Sequence, residues 1–484
     1  MKYRLVLRIL GLLSAIISLS MVFSLAWSVV DKTPDVQAFI WSMVTGLGVG
    51  VVLFFLGRRG SETYELNVRE AFAVVSLGWI TAAAVGALPF YYSGMVPSYT
   101  DAFFEAMSGF TTTGATILTE IESHHRGLLF WRSFTHWLGG MGIIVLSLAI
   151  LPFVGVGGMQ LFKAEVPGPT PEKLTPRIRK TALVLWGVYV IISAAETAAL
   201  LLCGMDLFDS LTHTFGTMAT GGFSPRNESI AAFGSPLIEW VIIVFMFIAG
   251  TNFVLHLLAL RGRPRAYWRD EEFRFYLKFT FICIAAVTIF LSFAGRYGGF
   301  ADTLRTSTFQ VVSIMTTTGY TTANFELWPQ ALRFLMLMLM FAGGCAGSTG
   351  GSMKQVRLQI LLKRVRMEIN RLLHPQQVTR IRFNGAVVNP DVISSVTAFY
   401  ILYMALFVGC SFIMIAMGMD LESGIASVAA TLGNIGPGLG DVGPVENYAF
   451  IAAPGKWLLS FCMLLGRLEL FSVIMLFVKG TWRQ

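Results

Sequence analysis

The sequence predicts an all-α integral membrane protein: two accessory N-terminal spans, then four pseudo-repeats of span, re-entrant pore helix, filter strand and span around one pore. Three observations predict it. The first is composition, since 55% of the 484 residues are apolar, only 13% are charged, and mean hydropathy is +0.67. Soluble proteins average about 45–50% apolar and about 25% charged residues, so this chain has too few charges to coat several water-soluble domains. The second is a series of ten apolar segments close to the ~20 residues that cross a bilayer. They are 5–30, 38–56, 71–92, 129–153, 181–203, 237–260, 277–293, 332–362 (interrupted), 392–417 and 457–478. The third is an internal repeat in the connections between them.

The first segment follows Lys2, Arg4 and Arg8, as a signal peptide would, but it is too long for one and no small-x-small cleavage site follows. It reads as an uncleaved span. The N-terminus and alternate loops carry 27 of the 36 Lys and Arg: Lys2, Arg4 and Arg8, then Arg58, Arg59 and Arg69, Lys163 to Lys180, Arg261 to Lys278, Lys354 to Arg382, and Lys479 and Arg483. The positive-inside rule places these loops, and both termini, in the cytoplasm. The net charge of +8 therefore reports orientation and calls for no nucleic-acid partner. The opposite face carries Asp101, Glu105, Glu120, Glu122, Asp206, Asp209, Asp302, Glu326, Asp420 and Glu422, a charge that draws cations to an outer mouth. Cys203, Cys283, Cys345, Cys410 and Cys462 all lie in apolar stretches without a CxxC and read as small buried hydrophobes.

The repeat consists of DAFFEAMSGFTTTGAT from Asp101, DSLTHTFGTMATGGFS from Asp209, TSTFQVVSIMTTTGYT from Thr306 and SGIASVAATLGNIGPG from Ser423. Aligned on Gly114, Gly222, Gly319 and Gly436, each starts at a residue type that caps helices, and each has a small residue (Ser108, Gly216, Ser313, Ala430) six positions before the glycine. The intervening stretch is too short to span and suits a helix of about 15 Å. Four such helices aim four partial negative charges at a common axis. The following strands, Thr112-Thr113-Gly114, Thr220-Gly221-Gly222, Thr317-Thr318-Gly319 and Asn434-Ile435-Gly436, then offer carbonyl oxygens in place of the hydration shell of a potassium ion. Gly433 offers an alternative register for the fourth strand.

Segment 343–351, GGCAGSTGG, interrupts the eighth span with Gly343, Gly344, Gly347, Gly350 and Gly351, each costing a helix about 1 kcal/mol relative to alanine. It reads as a broken span, with close helix packing the alternative. Lys354 and the run Lys363 to Arg366 follow on the cytoplasmic side. Arg467 falls mid-way along the tenth segment, where an isolated charge costs about 2.5–3.5 kcal/mol and normally faces a cavity or a partner. The expectation is that Arg467 faces the pore as a point charge which lysine would replace, with pairing to Glu196 as the alternative. An integral membrane enzyme using His124 and His125 at the outer face is a competing reading, but it has no use for four equivalent glycine strands. His136, His213 and His256 show no metal spacing.

The repeat, together with HWLGGMGIIVLSLAILP from His136, GVGGMQLFKAEVPGP from Gly155, FAGGCAGSTGGSMK from Phe341, LGNIGPGLG from Leu432 and LLGRLELF from Leu464, resembles the Trk/Ktr/HKT superfamily of potassium transporters, and within it the bacterial Trk-type membrane subunits of the TrkH/TrkG kind. The resemblance covers essentially the whole chain. It implies potassium uptake across the bacterial inner membrane, with no catalytic residue and no cofactor in the chain and potassium ion as the transported substrate. The four strands named above would be the filter residues that bind K+, and 343–351 with Arg467 would be the gate beneath them. It also implies a homodimer seated on a cytosolic, nucleotide-binding ring of TrkA-like subunits. Sodium-favouring plant relatives have serine where this chain has Gly114. The expected division is 1–67 for the accessory spans and 68–153, 154–262, 263–382 and 383–484 for the four pore repeats. Channel-like flow and ion-coupled symport both stay open.

Overall fold

The computed structural model describes residues 3–58, 68–140, 142, 178–377 and 380–478. Helix α1 (Tyr3–Ser20) continues past Met21 into α2 (Val22–Asp31), and α3 (Val36–Leu56) returns beside it. The two backbones approach through small residues. A Cβ on Gly11 would lie 2.6 Å from the Gly50 carbonyl oxygen, and Ser14 Oγ donates to the Gly46 carbonyl at 2.7 Å. In lipid, where apolar side chains gain nothing by leaving the tails, such close approach is what associates helices.

The chain then runs through α4 (Val68–Gly86), α5 (Leu88–Tyr92), the short α6 (Tyr99–Phe110), α7 (Arg126–Gly140), α8 (Ile178–Leu202) and the short α9 (Leu207–Met218). Next come α10 (Pro236–Ala249), α11 (Phe253–Leu260), α12 (Arg265–Arg269), α13 (Glu271–Phe293) and the short α14 (Phe300–Met315). Last are α15 (Gln330–Leu339), α16 (Gln355–Leu373), a hairpin of β1 (Arg382–Phe383) and β2 (Ala386–Val387), α17 (Pro390–Ala416), the short α18 (Leu421–Leu432), α19 (Ala453–Arg467) and α20 (Phe471–Ile474). Among the described residues, six helical stretches are long and apolar enough to cross a membrane, and up to eight if each bent pair is one span. Their outer faces expose Val51, Phe55, Phe281, Phe290, Ile401 and Phe412, as helices bathed in lipid do.

Several sequence expectations need correction. The segment at 237–260 is not straight: α10 and α11 meet at 102° across Gly250 to Asn252. The tenth is broken as well, α19 meeting the helical turns at Phe471–Phe477 at 116°, with Glu469 and Leu470 both at positive φ. The eighth is α15, an irregular stretch and α16, while the fourth begins as α7 and its remainder lies outside the described residues. So does the 155–169 motif. The short helices also start earlier than Asp101, Asp209, Thr306 and Ser423. The cap positions are Ser98, Asp206, Gly299 and Asp420, and three of these side chains accept the N–H of Asp101, Asp209 and Ser423 respectively. Asp101, Asp209 and Ser423 are therefore third helical positions, whose free amides a cap satisfies, whereas Thr306 is the seventh residue of its helix.

Glycines at the ends of the long helices share one packing role. A Cβ on Gly139 would collide with the carbonyl of Phe110 at the end of α6, and one on Gly466 with that of Leu432 at the end of α18. One on Gly140 would lie 2.7 Å from Ala219 Cα, and one on Gly250 2.8 Å from the Thr316 side chain. Each glycine lets a long helix press its backbone against the C-terminal end of a short one. Behind the first short helix lies a buried ion pair, Arg132 Nε to Glu105 Oε1 at 2.6 Å, with side chains 2% and 0% exposed. Glu105 also accepts from Thr116 Oγ1 and the Ile117 amide, and Arg132 donates to the Ser224 carbonyl and stacks 3.6 Å from the Phe223 ring. The pair thus ties α6 to α7 and to the strand after α9. Removing one member leaves the other charged and buried, a loss of about 3–5 kcal/mol. Arg132→Ala is expected to lower the thermal unfolding midpoint in detergent sharply, and Glu105→Gln/Arg132→Gln to recover part of it; equal midpoints for wild type and Arg132→Ala would contradict the assignment.

Candidate ion pathway

Each short helix ends on a segment with one backbone signature. Thr112, Thr220, Thr317 and Asn434 have φ of 53°, 53°, 61° and 53°, and Gly114, Gly222, Gly319 and Gly436 have φ of 82°, 78°, 78° and 97°. Gly433, the alternative register, caps α18 at φ −79°. A left-handed residue two positions before a left-handed glycine is rare in L-peptides. Here it recurs four times at one offset, and all twelve residues belong to the predicted strands.

The four segments close on one another. A Cβ on Gly114 would collide with the Gly221 carbonyl oxygen, one on Gly222 with that of Thr318, and one on Gly319 with that of Ile435. One on Gly436 would lie 2.7 Å from the Thr113 carbonyl oxygen, which completes the ring. The carbonyls of the four middle residues therefore meet the four glycines cyclically, one segment to the next. Ile435 takes part through its backbone, so its bulk does not break the ring. The four glycines also line one cavity of about 130 Å³, open toward Thr116, Arg132, Ser224, Arg226 and Glu446. Side chains behind the ring fix its orientation. Tyr448 Oη donates to the Gly436 carbonyl at 2.8 Å, and Tyr320 Oη to the His213 carbonyl at 3.0 Å. His136, stacked 4.1 Å from Phe223, sits against Gly221 and bonds the Gly109 carbonyl at 2.7 Å.

Beneath the ring lies the 343–351 segment. Gly351 N donates to Thr317 Oγ1 at 2.7 Å, and Thr349 Oγ1 to the Met218 carbonyl at 3.0 Å. Cys345 N reaches the Gly250 carbonyl at 2.8 Å, and the Gly347 carbonyl accepts from Phe253 N at 3.0 Å, so the segment also bridges the break in the sixth span. A Cβ on Gly351 would lie 2.5 Å from the Gly433 carbonyl oxygen. Gly344 and Gly350 pack within the same stretch, and Gly343 pairs its N–H with the Met353 carbonyl at 2.8 Å. Lys354 is 3% exposed and donates its ammonium to the Gly350 carbonyl, so it braces the segment.

Arg467, the last residue of α19, reaches the same place. Its Nη1 donates to Thr112 Oγ1 at 3.0 Å and to the Thr349 carbonyl at 2.7 Å. Its Nη2 donates to the carbonyls of Gly139 and Gly140 at 2.7 and 2.9 Å. The alternative partner Glu196 has both carboxylate oxygens without a hydrogen bond among the described residues, and Glu469 pairs with Arg357. One guanidinium thus joins the first strand, the glycine segment and the end of α7.

The chain as a whole has known counterparts. The family described as TrkH, cation transport protein, matches residues 37–482. The chain belongs to the TrkH family. It is 42% identical over the full length of both chains to the Trk system potassium uptake protein TrkH of Escherichia coli K12, and 33% identical, over 99% of each, to TrkG of the same strain. The crystal structure of the potassium transporter TrkH from Vibrio parahaemolyticus is similar over the whole of both chains, with a TM-score of 0.90 at 37% identity. TrkH-family membership makes this a transport protein and not an enzyme. Within this TrkH-family chain, sequence reasoning did not reach Tyr320, Tyr448, Glu105 with Arg132, or the bracing role of Lys354. Their partners are backbone groups or residues far away in sequence, and no spacing announces them.

The fork at Arg467 changes an expectation. A lysine keeps the charge but cannot place donors on four acceptors at once. Arg467→Ala is expected to raise rubidium flux into proteoliposomes, and Arg467→Lys to raise it part of the way; a lysine variant indistinguishable from wild type would reduce Arg467 to a point charge.

Proposed function

We propose that the chain carries potassium into the cell across the bacterial inner membrane, through a filter of backbone carbonyls at 112–114, 220–222, 317–319 and 434–436. The observation that carries this reading is the closed ring of glycines and carbonyls. Four short helices end at it, each bringing the partial negative charge of its C-terminus, and carbonyl oxygens around an axis substitute for the water that potassium sheds. The relatives named as potassium uptake proteins support the choice of ion. Gly114, in place of a serine, argues against the sodium-favouring reading of the same fold.

On this reading the 343–351 segment and Arg467 form the gate. The segment fills the space under the ring, and the guanidinium fastens it to the first strand. A unit positive charge about 6 Å from a passing cation, in a medium of effective dielectric ~20, opposes it by roughly 3 kcal/mol. The finer organisation follows the same reading: ten spans, four pore repeats with the boundaries given above, both termini in the cytoplasm, and a homodimer on a cytosolic nucleotide-binding ring. On this reading the basic connectors Arg261 to Arg269 and Lys363 to Arg382 face such a ring.

Replacing any one of Gly114, Gly222, Gly319 or Gly436 by serine drives a side chain into the next segment's carbonyl. Each variant is expected to lose discrimination between potassium and sodium in competition assays of rubidium uptake while still folding. Retained discrimination in Gly436→Ser would take the fourth segment out of the filter.

A further inference from the structure

Three consecutive acids stand at the start of α13, and each holds a different part of the molecule. Asp270 caps the helix through the Phe273 amide at 2.7 Å and accepts Asn384 Nδ2, from the turn of the β1–β2 hairpin, at 2.9 Å. Glu271 pairs with Lys363 and accepts from Gln359 Nε2 at 3.0 Å, both on α16, and from the Asn384 amide at 3.0 Å. Glu272, only 4% exposed, turns the other way. Its Oε1 alone accepts the amide of Ala346 at 2.7 Å and that of Val356 at 2.9 Å.

Those two amides sit on either side of the strained part of the broken span. Ala346 lies within the glycine segment, and Val356 is in the first turn of α16, where helix amides have no partner of their own. One carboxylate oxygen therefore fixes the separation between the segment and the helix that follows it. The intervening residues, Gly347 to Gln355, hold the contacts to Thr317, Met218 and Arg467 described above. They cannot swing away from the ring as a unit while both of their flanks are bonded to one atom. Glu272 is buried and the site is closed to water, so nothing replaces these bonds cheaply when they break.

We propose that Glu272 is the latch of the 343–351 segment, a positioning residue for gating that holds the segment under the ring from the start of the seventh span. Asp270 and Glu271 make the latch responsive to the cytoplasmic side, because displacement of the hairpin or of α16 pulls on the same helix start. The proposal rests on the reading of the segment as the gate, and its test separates the two.

Cys345, 1% exposed, lies beside Ala346 and reports release of the segment. The full-length protein in detergent is treated with a small methanethiosulfonate, and modification of the Cys345 peptide is followed by mass spectrometry, alongside rubidium flux in proteoliposomes without cytosolic partner. Glu272→Ala is expected to raise both the modification rate and the flux about tenfold or more, the size of effect that loss of two buried hydrogen bonds produces. Potassium over sodium selectivity should not move, since the ring is untouched. Glu272→Gln is expected to stay near wild type, because its amide oxygen still accepts both N–H groups. If Glu272→Ala does not fold, Glu272→Asp keeps the charge but falls one methylene short of both amides, and should behave as released. Unchanged modification in Glu272→Ala and Glu272→Asp, or a glutamine variant as open as the alanine one, overturns the latch. If shortening 343–351 raises flux while the Glu272 variants change nothing, the latch falls and the gate stands. Faster modification of Cys345 without added flux upholds the latch on the segment and rejects the segment as the gate.

Discussion

The structure depends on the closure of four backbone segments into a ring, each glycine set against the carbonyl of the next segment. A side chain at any of these four positions would push into the next segment's carbonyl, so the closed ring needs four separate stretches of sequence, about a hundred residues apart, to converge in one register. The surrounding architecture supplies that convergence. Short helices ending at Phe110, Met218, Met315 and Leu432 deliver the segments. Long helices press glycines against the short helices' ends, and Tyr320, Tyr448 and the Glu105–Arg132 pair tie neighbouring segments from behind.

Irregular backbone within a membrane protein needs internal partners for its amides and carbonyls. The 343–351 segment meets that need through contacts to widely separated parts of the chain: the break between α10 and α11, Thr317 after α14, Arg467 at the end of α19, and Glu272 at the start of α13. These partners belong to different helices, so the position of the segment registers the arrangement of the whole ring. A helix in its place would satisfy its own hydrogen bonds and register nothing. The breaks at Gly250 and at Arg467 to Leu470 serve the same end, since each exposes carbonyls or donors that the segment uses.

Much of this was legible in the sequence, for identifiable reasons. Glycine at a fixed offset from a short apolar stretch leaves a pattern that repeats in the chain, and five glycines in 343–351 break a span visibly. The bends at Gly250 and Leu470 left no such mark. Hydropathy continues through Ile248 to Val254 and through Leu464 to Val473, and hydropathy carries no information about direction. The caps were placed one turn or more late because Asp101 and Asp209 are capping types themselves, and only the geometry distinguishes them from Ser98 and Asp206. The forked grip of Arg467 and the burial of Lys354 were hidden because all but one of their acceptors are backbone carbonyls, which have no identity in a sequence, and the exception, the Thr112 hydroxyl, lies 355 residues away.

The claim that the ring is the ion pathway is tested most directly by anomalous scattering from rubidium or thallium bound to crystals of the full-length protein. The account predicts anomalous density on the ring axis, level with the carbonyls of Thr113, Gly221, Thr318 and Ile435. A folded structure with the ring intact and the heavy cations bound elsewhere, with none on that axis, would contradict it.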